Sequence, residues 1–316
     1  MRIMVTGANG FVGKSLCASL RMRGGEVRAT MRHSASFTTD KGLDQVAVGD
    51  INSETSWNKV LAEVNCVIHL AARVHVMADK ACDPLAEFRR VNRDGTVHLA
   101  EQAAQNGVRR FIYLSSIKVN GEETLDEPFT ADDKPDPLDP YGISKAEAEE
   151  ELLALAARTG MEIVIIRPPL VYGPKVKANF FKMMQVIAKG IPLPLGAIQN
   201  KRSLVFLDNL VDLIITCMDH PAAANQVFLV SDGEDLSTPE LLKRLGSSLG
   251  KPARLLPVPQ TVLEFSLKIL GKGDIAQRLC GSLQVDISKA RDLLGWQPPV
   301  SVDEGLLRTV EGEYNV

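Results

Sequence analysis

The sequence predicts an α/β fold built on a doubly wound parallel sheet, with a smaller, mostly helical C-terminal domain. Short runs rich in Val, Ile and Leu alternate with longer helical segments as far as Pro168, a pattern typical of buried parallel strands joined by crossover helices. Loops rich in proline and glycine follow, and then several short helices. We expect the sheet domain to comprise 1–168 with about 204–230, and the second domain about 169–203 with 231–316.

The first predicted strand, residues 2–6, leads directly into a glycine-rich turn and a helix. Three glycines spaced as G-x-x-G-x-x-G permit a tight turn, a close approach of the backbone to a pyrophosphate, and close packing of the helix on the strand. The N–H groups of the helix N-terminus then face the phosphates. This context predicts a dinucleotide site of the Rossmann kind. The cofactor contacts predicted in the turn are Gly7, Asn9, Gly10, Phe11, Val12 and Gly13.

The residue at the end of the second predicted strand bears on the choice of cofactor. NAD-binding chains usually place an acid there, where it binds the adenosine ribose, whereas this chain has Arg32. A guanidinium suits a 2′-phosphate, so Arg32 favours NADP(H). NAD(H) stays possible, because loop geometry also affects the choice. His33 would either contact the same phosphate or be exposed, and exposure is the favoured interpretation.

Further strands are predicted at 45–51, 66–72, 110–116 and 162–168. Ligands of parallel sheets bind beyond the C-terminal ends of the strands, so residues at these ends are candidate cofactor contacts. An acid there can hold the adenosine, and small side chains leave room for the cofactor. The candidates at the ends of the third and fourth strands are Asp50, Ile51, Leu70, Ala71 and Ala72.

Tyr141 and Lys145 stand four residues apart where a long predicted helix begins, so both side chains lie on one helix face. Prolines forbid a helix just before them, and strong helix formers follow. A tyrosine with an ordinary pKa of about 10 needs a shift of roughly 3 units, worth about 4 kcal/mol, to act as a base near pH 7, and nearby cations can supply it. The pair predicts proton transfer, and Ser116 would meet it at the same edge of the sheet.

The composition excludes several classes of function. The 316 residues carry a net charge of −3, which gives no electrostatic basis for binding nucleic acid. Five scattered cysteines without C-x-x-C spacing predict neither a disulfide framework nor a metal site. With no apolar run near the ~18 residues of a membrane span and no secretory signal, we expect a cytoplasmic protein. The stretch 254–270 is apolar enough to lie on a membrane surface, but packing in the C-terminal domain is the favoured interpretation.

Taken together, the glycine turn, Ser116, the Tyr141–Lys145 pair and an Arg-Pro dipeptide at the end of the sixth strand resemble the extended short-chain dehydrogenase/reductase superfamily. The resemblance covers essentially the whole chain and is strongest to nucleotide-sugar epimerases, dehydratases and 4-keto reductases. It implies a catalytic set of Tyr141, Lys145 and Ser116. It also adds Tyr141, Lys145 and Pro168 to the cofactor contacts, together with Asn92, which would brace the central strands. The contacts that it implies for a UDP-linked sugar are Ser116, Lys118, Asn179, Arg202 and Leu283.

Departures from the family pattern narrow the activity. Similar 4,6-dehydratases carry an Asp-Glu pair after the strand-end hydroxyl, because elimination needs an acid and a base, whereas residues 117–118 here are Ile and Lys. A bulky tyrosine typical of UDP-galactose 4-epimerases is replaced by Leu283, which would admit an N-acetylated sugar. The segments 115–121, 167–174 and 230–240 look like those of bacterial surface-polysaccharide 4-keto reductases, similar to the UDP-N-acetylquinovosamine-forming enzymes.

The resemblance therefore implies NAD(P)-dependent hydride transfer at C4 of a UDP-linked sugar. The first hypothesis is a UDP-4-keto-6-deoxy-N-acetylhexosamine 4-reductase of surface polysaccharide synthesis. A UDP-glucose or UDP-N-acetylglucosamine 4-epimerase is the alternative, because the two activities share every catalytic residue. A reductase of non-sugar ketones and a catalytically silent NADP-binding regulator are the remaining hypotheses.

The resemblance also implies a homodimer. Family members typically dimerise through a four-helix bundle, which the helices 84–106 and 140–158 would form here. In the second helix Ala148, Leu152 and Leu155 recur at steps of four and three residues and form a narrow apolar stripe. We expect the stripe to face the partner, although a helix buried within one subunit would show the same pattern.

Overall fold

The computed structural model describes residues 1–36, 42–74, 82–271 and 273–314. Its strands are β1 Arg2–Thr6, β2 Glu26–Met31, β3 Asp44–Ala47, β4 Cys66–His69, β5 Arg110–Leu114, β6 Glu162–Arg167, β7 Leu170–Tyr172, β8 Arg202–Phe206, β9 Gln226–Leu229 and β10 Asp235–Leu236. Its α-helices are α1 Phe11–Met22, α2 Pro84–Phe88, α3 Gly95–Gln105, α4 Pro140–Thr159, α5 Ala178–Ala188, α6 Leu207–Asp219, α7 Thr238–Ser248, α8 Gln260–Ile269, α9 Gly273–Cys280, α10 Ser288–Leu294 and α11 Val302–Tyr314. Within these ranges, no helix combines the length and the apolar character needed to cross a bilayer.

The large sheet has seven strands in the spatial order β3-β2-β1-β4-β5-β6-β9, and every neighbouring pair is parallel. The chain begins at β1, moves outward to β3, returns beside β1 with β4 and then moves outward in the opposite direction. This is the doubly wound sheet that the sequence predicts, with its switch point between β1 and β4. Sheets of this kind bind ligands in the crevice beyond the C-terminal ends of such strands.

Successive side chains of the central strands pack into hydrophobic cores on opposite faces of the large sheet. Ile3 and Val5 pack with side chains of α1 and α6, while Met4 between them packs with side chains of α3 and α4. On β6, Val164 packs in the same core as Ile3 and Val5, and Ile165 packs in the same core as Met4. Side chains alternate along a strand, so a sheet covered on both faces needs an apolar residue at every position. This explains why the strands appear in the sequence as continuous apolar runs.

A second sheet, in the order β10-β8-β7, organises the C-terminal part of the chain. Strand β8 is parallel to β7 and antiparallel to β10. Side chains of α5, α7 and α11 form a third core against it, with Tyr172 of β7 and Phe206 of β8. A capping box between Ser237 and Glu240 begins α7. This part is mostly helical, as predicted, but it includes a short sheet that the sequence did not indicate.

The helix predicted at 84–106 is not continuous. It consists of α2, a π-helical turn at Arg89–Asp94, and α3. The fully buried Asn92 lies in this turn, where its Oδ1 accepts the N–H of Arg73 at 2.8 Å and its Nδ2 donates to the Arg73 carbonyl at 3.0 Å. The same Nδ2 lies 3.0 Å from the hydroxyl of Ser144 on α4. The wider π-helical turn thus occurs where Asn92 bonds to Arg73 and to Ser144, which belong to two other segments of the chain.

Three further predictions about elements differ from the structure. The unit predicted at 204–230 divides between the sheets, because β8 pairs with β7 whereas β9 pairs with β6. The domain boundaries themselves remain a prediction. The strands predicted at 45–51 and 66–72 end earlier, at Ala47 and His69. The helix α9 was not predicted.

The apolar stripe on α4 packs inside this chain. Ala148 and Leu152 are fully buried and Leu155 is 3% exposed, and all three belong to the core between α4, α3 and the sheet. The expectation that the stripe faces a partner subunit is therefore wrong, because a helix that covers a sheet needs the same spacing of apolar residues. A dimer remains a proposal.

Candidate active site

A cavity of about 680 Å³ is lined by residues that follow β1, β2 and β4, at the edge where the sheet topology predicts a ligand. Most of the predicted cofactor contacts line it. These are Gly7, Asn9, Gly10, Phe11, Val12, Gly13, Arg32, Ile51, Leu70, Ala71, Ala72, Tyr141 and Lys145. Of the described residues predicted to touch the cofactor, Asp50, Asn92 and Pro168 are outside the lining. Lining residues that sequence reasoning did not select include Thr30, Met31, Val48, Val74, Val91, Leu114 and Ser115.

The glycine turn has the geometry of a phosphate cradle. Gly7 has a φ of +64°, a conformation that side chains disfavour, and its carbonyl accepts the N–H of Gly10 at 2.9 Å. A Cβ at Gly13 would lie 2.2 Å from that same carbonyl oxygen. Gly7 is therefore required by the left-handed backbone of the turn, and Gly13 by the close approach of α1 to the turn after β1. The turn leaves the N-terminus of α1 open to the cavity, which fits a dinucleotide.

Arg32 forms an ion pair that the sequence did not reveal. Its Nε lies 2.9 Å from Oδ1 of Asp50, and both side chains are 63% exposed. Asp50 thus supplies, from just beyond β3, the carboxylate that the end of β2 lacks. The inference of an NADP(H) preference assumed a guanidinium available to a 2′-phosphate, and here that guanidinium already has an anionic partner.

A buried histidine fixes the loop after β4. Thr6 Oγ1 accepts the N–H groups of Leu70 and Ala71 at 3.1 and 3.2 Å, so its own proton points to Nδ1 of His69, 2.7 Å away. The ring proton of His69 then lies on Nε2, 3.0 Å from the hydroxyl of Thr96. Burial and the charge of Lys145 lower the pKa of His69 to about 3, which keeps the ring neutral. Sequence reasoning missed this group because its partners come from three separate elements.

Tyr141 lies in the first turn of α4. Asp139 caps this helix by accepting the N–H of Gly142 at 2.6 Å, and Pro140 occupies the first helical position. Burial raises the pKa of Tyr141 to about 12, although a hydrogen bond with Ser116 lowers it in part. Tyr141 is therefore a proton donor near neutral pH, and Ser116 is held beside its hydroxyl.

Lys145 is almost completely buried one turn further along α4. Its Nζ donates to the carbonyl of Leu114 at 2.7 Å and lies 4.2 Å from the ring centroid of Tyr113, a cation–π distance. Burial lowers the pKa of Lys145 to about 7, against the opposing effect of Glu149. The lysine is therefore poised between its charged and neutral forms near pH 7, whereas the prediction from the sequence requires a fixed cation beside Tyr141.

A buried charge network lies behind Tyr141 and Lys145. The guanidinium of Arg167 binds the carboxylate of Glu149, with Nε 3.1 Å from each oxygen, and its Nη1 donates to Asn120 at 2.9 Å. The hydroxyl of Ser115 also donates to Glu149. These residues join α4, the end of β5 and the end of β6. The network thus links the helix of Lys145 to the residue that precedes Ser116.

All five predicted substrate contacts, Ser116 included, fall outside the cavity lining, which instead contains the neighbouring Ser115. Lys118 Nζ donates to Asp139 and, at 2.8 Å, to Glu122. Arg202 donates to the carbonyl of Gly281 at 3.0 Å, and burial lowers its pKa while Glu122 opposes this. Leu283 is 7% exposed and pairs with Arg202 through a backbone bridge. Glu122 therefore binds Lys118 and affects Arg202 through its charge. Asn179 is exposed in the first turn of α5.

Comparison with the sequences of known proteins identifies the family of this chain. The model of the NAD dependent epimerase/dehydratase family matches residues 3–231. The chain belongs to this family. Among epimerase/dehydratase family proteins, a UDP-glucose 4-epimerase of Vibrio cholerae is 53% identical over 312 residues, covering 98% of this chain and 94% of that protein.

Two solved structures of similar proteins share the fold. A UDP-glucose 4-epimerase of Thermotoga maritima with UDP-glucose has a TM-score of 0.78 and 25% identity, covering 99% of this chain and 98% of that one. MoeE5 in complex with UDP-glucose and NAD has a TM-score of 0.77 and 26% identity, with the same coverage. Family membership confirms the resemblance to the extended short-chain dehydrogenase/reductases. It makes this chain an NAD(P)-dependent enzyme of that type.

Proposed function

We propose that the protein is a 4-epimerase of UDP-linked hexoses. The observation that carries the proposal is its 53% identity, over 98% of the chain, to a UDP-glucose 4-epimerase. The 4-keto reductase of the first hypothesis has weaker support, since it rests on short sequence segments and on the charge of Arg32. The ion pair between Arg32 and Asp50 weakens the second of these arguments.

The catalytic residues suit proton transfer at the oxygen on C4 of the sugar. A bound nicotinamide cofactor would supply the hydride acceptor and donor for C4. The phenolate form of Tyr141 accepts the O4 proton when C4 is oxidised, and the resulting phenol, which the pKa of about 12 favours, returns that proton to O4 when the ketone is reduced. Ser116 hydrogen-bonds the same oxygen and keeps the phenol aligned. Lys145 can gain or lose a proton near pH 7, so it can adjust the local charge as Tyr141 changes its protonation state.

We propose NAD as the cofactor. A 2′-phosphate would place further negative charge beside Asp50, whereas the hydroxyls of an unmodified ribose can donate to that carboxylate. The family description and MoeE5, whose structure contains NAD, support the same choice. An epimerase also regenerates its cofactor in each turnover, so it does not depend on a supply of reduced nicotinamide.

Product analysis by NMR tests the proposal. The purified protein would be incubated separately with UDP-glucose and UDP-N-acetylglucosamine, with no added cofactor, with NAD or with NADP. We expect the 4-epimer of at least one substrate without net formation of NADH, and no turnover by Tyr141→Phe. Stoichiometric oxidation of NADPH by a UDP-4-keto sugar, with neither UDP-hexose epimerised, would establish the reductase instead. A failure of UDP to raise the melting temperature would favour a non-sugar substrate or a regulator.

A further inference from the structure

The helix α8 presents an apolar face to solvent. Val262, Phe265 and Ile269 are 52%, 67% and 69% exposed, and Leu270, directly after the helix, is 66% exposed. We call these four residues the apolar ridge. Steps of three and four residues place the first three on one side of the helix. Leu263, on a different side, packs against the C-terminal core, so the ridge points away from it.

An apolar face of this kind requires a partner. Single exposed apolar side chains are common on protein surfaces, but several large ones on one helix face mark a docking surface. No described residue of α8 is buried, so the helix makes a limited contribution to the core. The sequence favours packing within the C-terminal domain for residues 254–270. In the structure only part of this stretch, including Leu255 and Leu263, packs against the C-terminal core.

The charge around the ridge indicates which partner fits. Residues 251–280 contain five Lys and Arg against two acids, a net charge of +3 in a chain whose total is −3. Arg254 and Lys268 are exposed, and neither is in a salt bridge with a side chain that the structure describes. A two-fold contact with a second copy would set this positive surface against itself. An apolar face bordered by cations instead matches the boundary between headgroups and acyl chains of an anionic membrane.

We propose that residues 251–271 and 273–280 dock this protein on the surface of an anionic membrane. The apolar ridge enters the boundary between headgroups and acyl chains, while Arg254 and Lys268 lie among the headgroups. One helix with four large side chains supports reversible, peripheral binding. The docked segment also adjoins the candidate substrate region, because α9 ends next to Gly281, whose carbonyl accepts hydrogen bonds from Arg202 at 3.0 Å and Asn200 at 3.1 Å. The proposal does not depend on which sugar is epimerised.

Vesicle sedimentation with the full-length protein tests this. We expect partitioning onto vesicles of equal phosphatidylcholine and phosphatidylglycerol to exceed that onto pure phosphatidylcholine by about tenfold at 0.1 M salt, and the difference to shrink at about 0.5 M salt. Phe265→Glu should lower the partition coefficient about tenfold, and Lys268→Glu about fivefold or more. Matched controls are Met22→Glu, at a residue 82% exposed on α1, and Lys59→Glu, at another exposed lysine. Both should bind like the wild type.

Several outcomes would overturn the proposal. One is a wild type that does not bind the anionic vesicles, and another is retained binding by both Phe265→Glu and Lys268→Glu. Melting temperatures identify a variant that fails to fold. If Phe265→Glu does not fold, Lys268→Glu still tests the proposal, because Lys268 is exposed. Light scattering provides the remaining check. A dimer that Phe265→Glu converts to a folded monomer would show that the ridge covers a second copy.

Discussion

Burial shifts the side chains of Tyr141 and Lys145, the two principal residues of the proposed mechanism, towards their neutral forms. It raises the pKa of Tyr141 to about 12 and lowers the pKa of Lys145 to about 7. The Tyr-x-x-x-Lys spacing predicted that the two side chains share a helix face, but it could not predict these shifts, because they arise from residues distant in the sequence. Glu149, one turn beyond Lys145, opposes the shift of the lysine.

Removing the hydroxyl of Tyr141 tests its role directly. We expect Tyr141→Phe to lower kcat by at least about 100-fold, because a general acid–base group contributes roughly 10²–10⁴-fold. Affinity for NAD should stay within a few-fold, since the ring remains in place. Epimerisation followed by NMR and titration with NAD measure the two quantities. A variant that keeps more than about a tenth of kcat would remove Tyr141 from the mechanism.

The buried pair between Glu149 and Arg167 predicts a large loss of stability. Glu149→Gln leaves a buried guanidinium without its anion, which costs about 3–5 kcal/mol of unfolding free energy. Glu147→Gln on the same helix is the matched control. Its carboxylate binds Arg89, and both side chains are partly exposed, so its loss should cost far less than the loss of Glu149. Urea unfolding of both variants gives the comparison, and similar losses would show that the network is not the source.

Where Glu149→Gln still folds, its pH profile provides a second measurement. Glu149 raises the pKa of Lys145, so its neutralisation should move the titration of the lysine to lower pH. The limb of the rate profile that reports Lys145 should shift in the same direction, whereas Glu147→Gln should leave it in place. A change in stability without this shift would restrict Glu149 to a structural role.

Cofactor choice should depend on Asp50 as well as on Arg32. Asp50→Asn removes the carboxylate that pairs with Arg32 and that would repel a 2′-phosphate. Because exposed ion pairs contribute about 1 kcal/mol at most, the affinity for NADP relative to NAD should rise by about fivefold. Asp44→Asn, which removes a carboxylate paired with Arg28 at the start of β3, should leave the ratio unchanged. Isothermal titration with both cofactors checks this. An unchanged ratio in Asp50→Asn would exclude Asp50 as a determinant.

At the scale of elements, the sequence predicted strands and helices well where one local rule decides them. The strand β1, the glycine turn and α1 follow from glycine spacing and apolar runs alone. The π-helical turn at Arg89–Asp94 did not follow, because Asn92 makes the associated hydrogen bonds with Arg73 and Ser144. Neither partner belongs to the local segment, so helix propensity carries no information about the break.

The free energy of unfolding should depend on pH because His69, at the end of β4, is held neutral in the folded protein. Its pKa is about 3 in the folded protein and about 6.5 in an unfolded chain. Because the unfolded state binds the extra proton, the stability gained from the neutral ring is present above about pH 6.5 and falls with decreasing pH, by up to ~1.4 kcal/mol per pH unit. Urea unfolding at pH 7, 6 and 5 should show a smaller slope for His69→Asn. Equal slopes would contradict this account.

At the scale of the whole molecule, the parallel sheet was predictable and the second sheet was not. Alternating apolar runs and helices specify a doubly wound architecture. The strands β7 and β10 have only three and two residues, too few for a periodic pattern. Their pairing partner β8 also resembles the strands of the large sheet. Which sheet a short strand joins depends on packing between distant segments, and one sequence does not contain that information.

We propose a dimer formed by outward-facing residues of α4. Leu153 is 38% exposed, whereas its neighbour Leu152 is fully buried. Leu153→Arg should convert a dimer to a folded monomer, and Leu152→Arg should lower stability because it buries a charge. Light scattering and thermal melting separate the two effects. A wild-type monomer near 34 kDa at micromolar concentration would exclude the dimer.

The route of the chain between its two sheets limits how this architecture can be recombined. β1–β6 belong to the large sheet, β7 and β8 to the small one, β9 to the large one again, and β10 to the small one. A chimera joined once, just after β6, would take β9 from the donor protein and place a foreign strand at the edge of the recipient sheet. Two further junctions flanking β9 would be needed to keep that edge native. Point substitutions therefore offer a simpler route to a new substrate range than the exchange of a module.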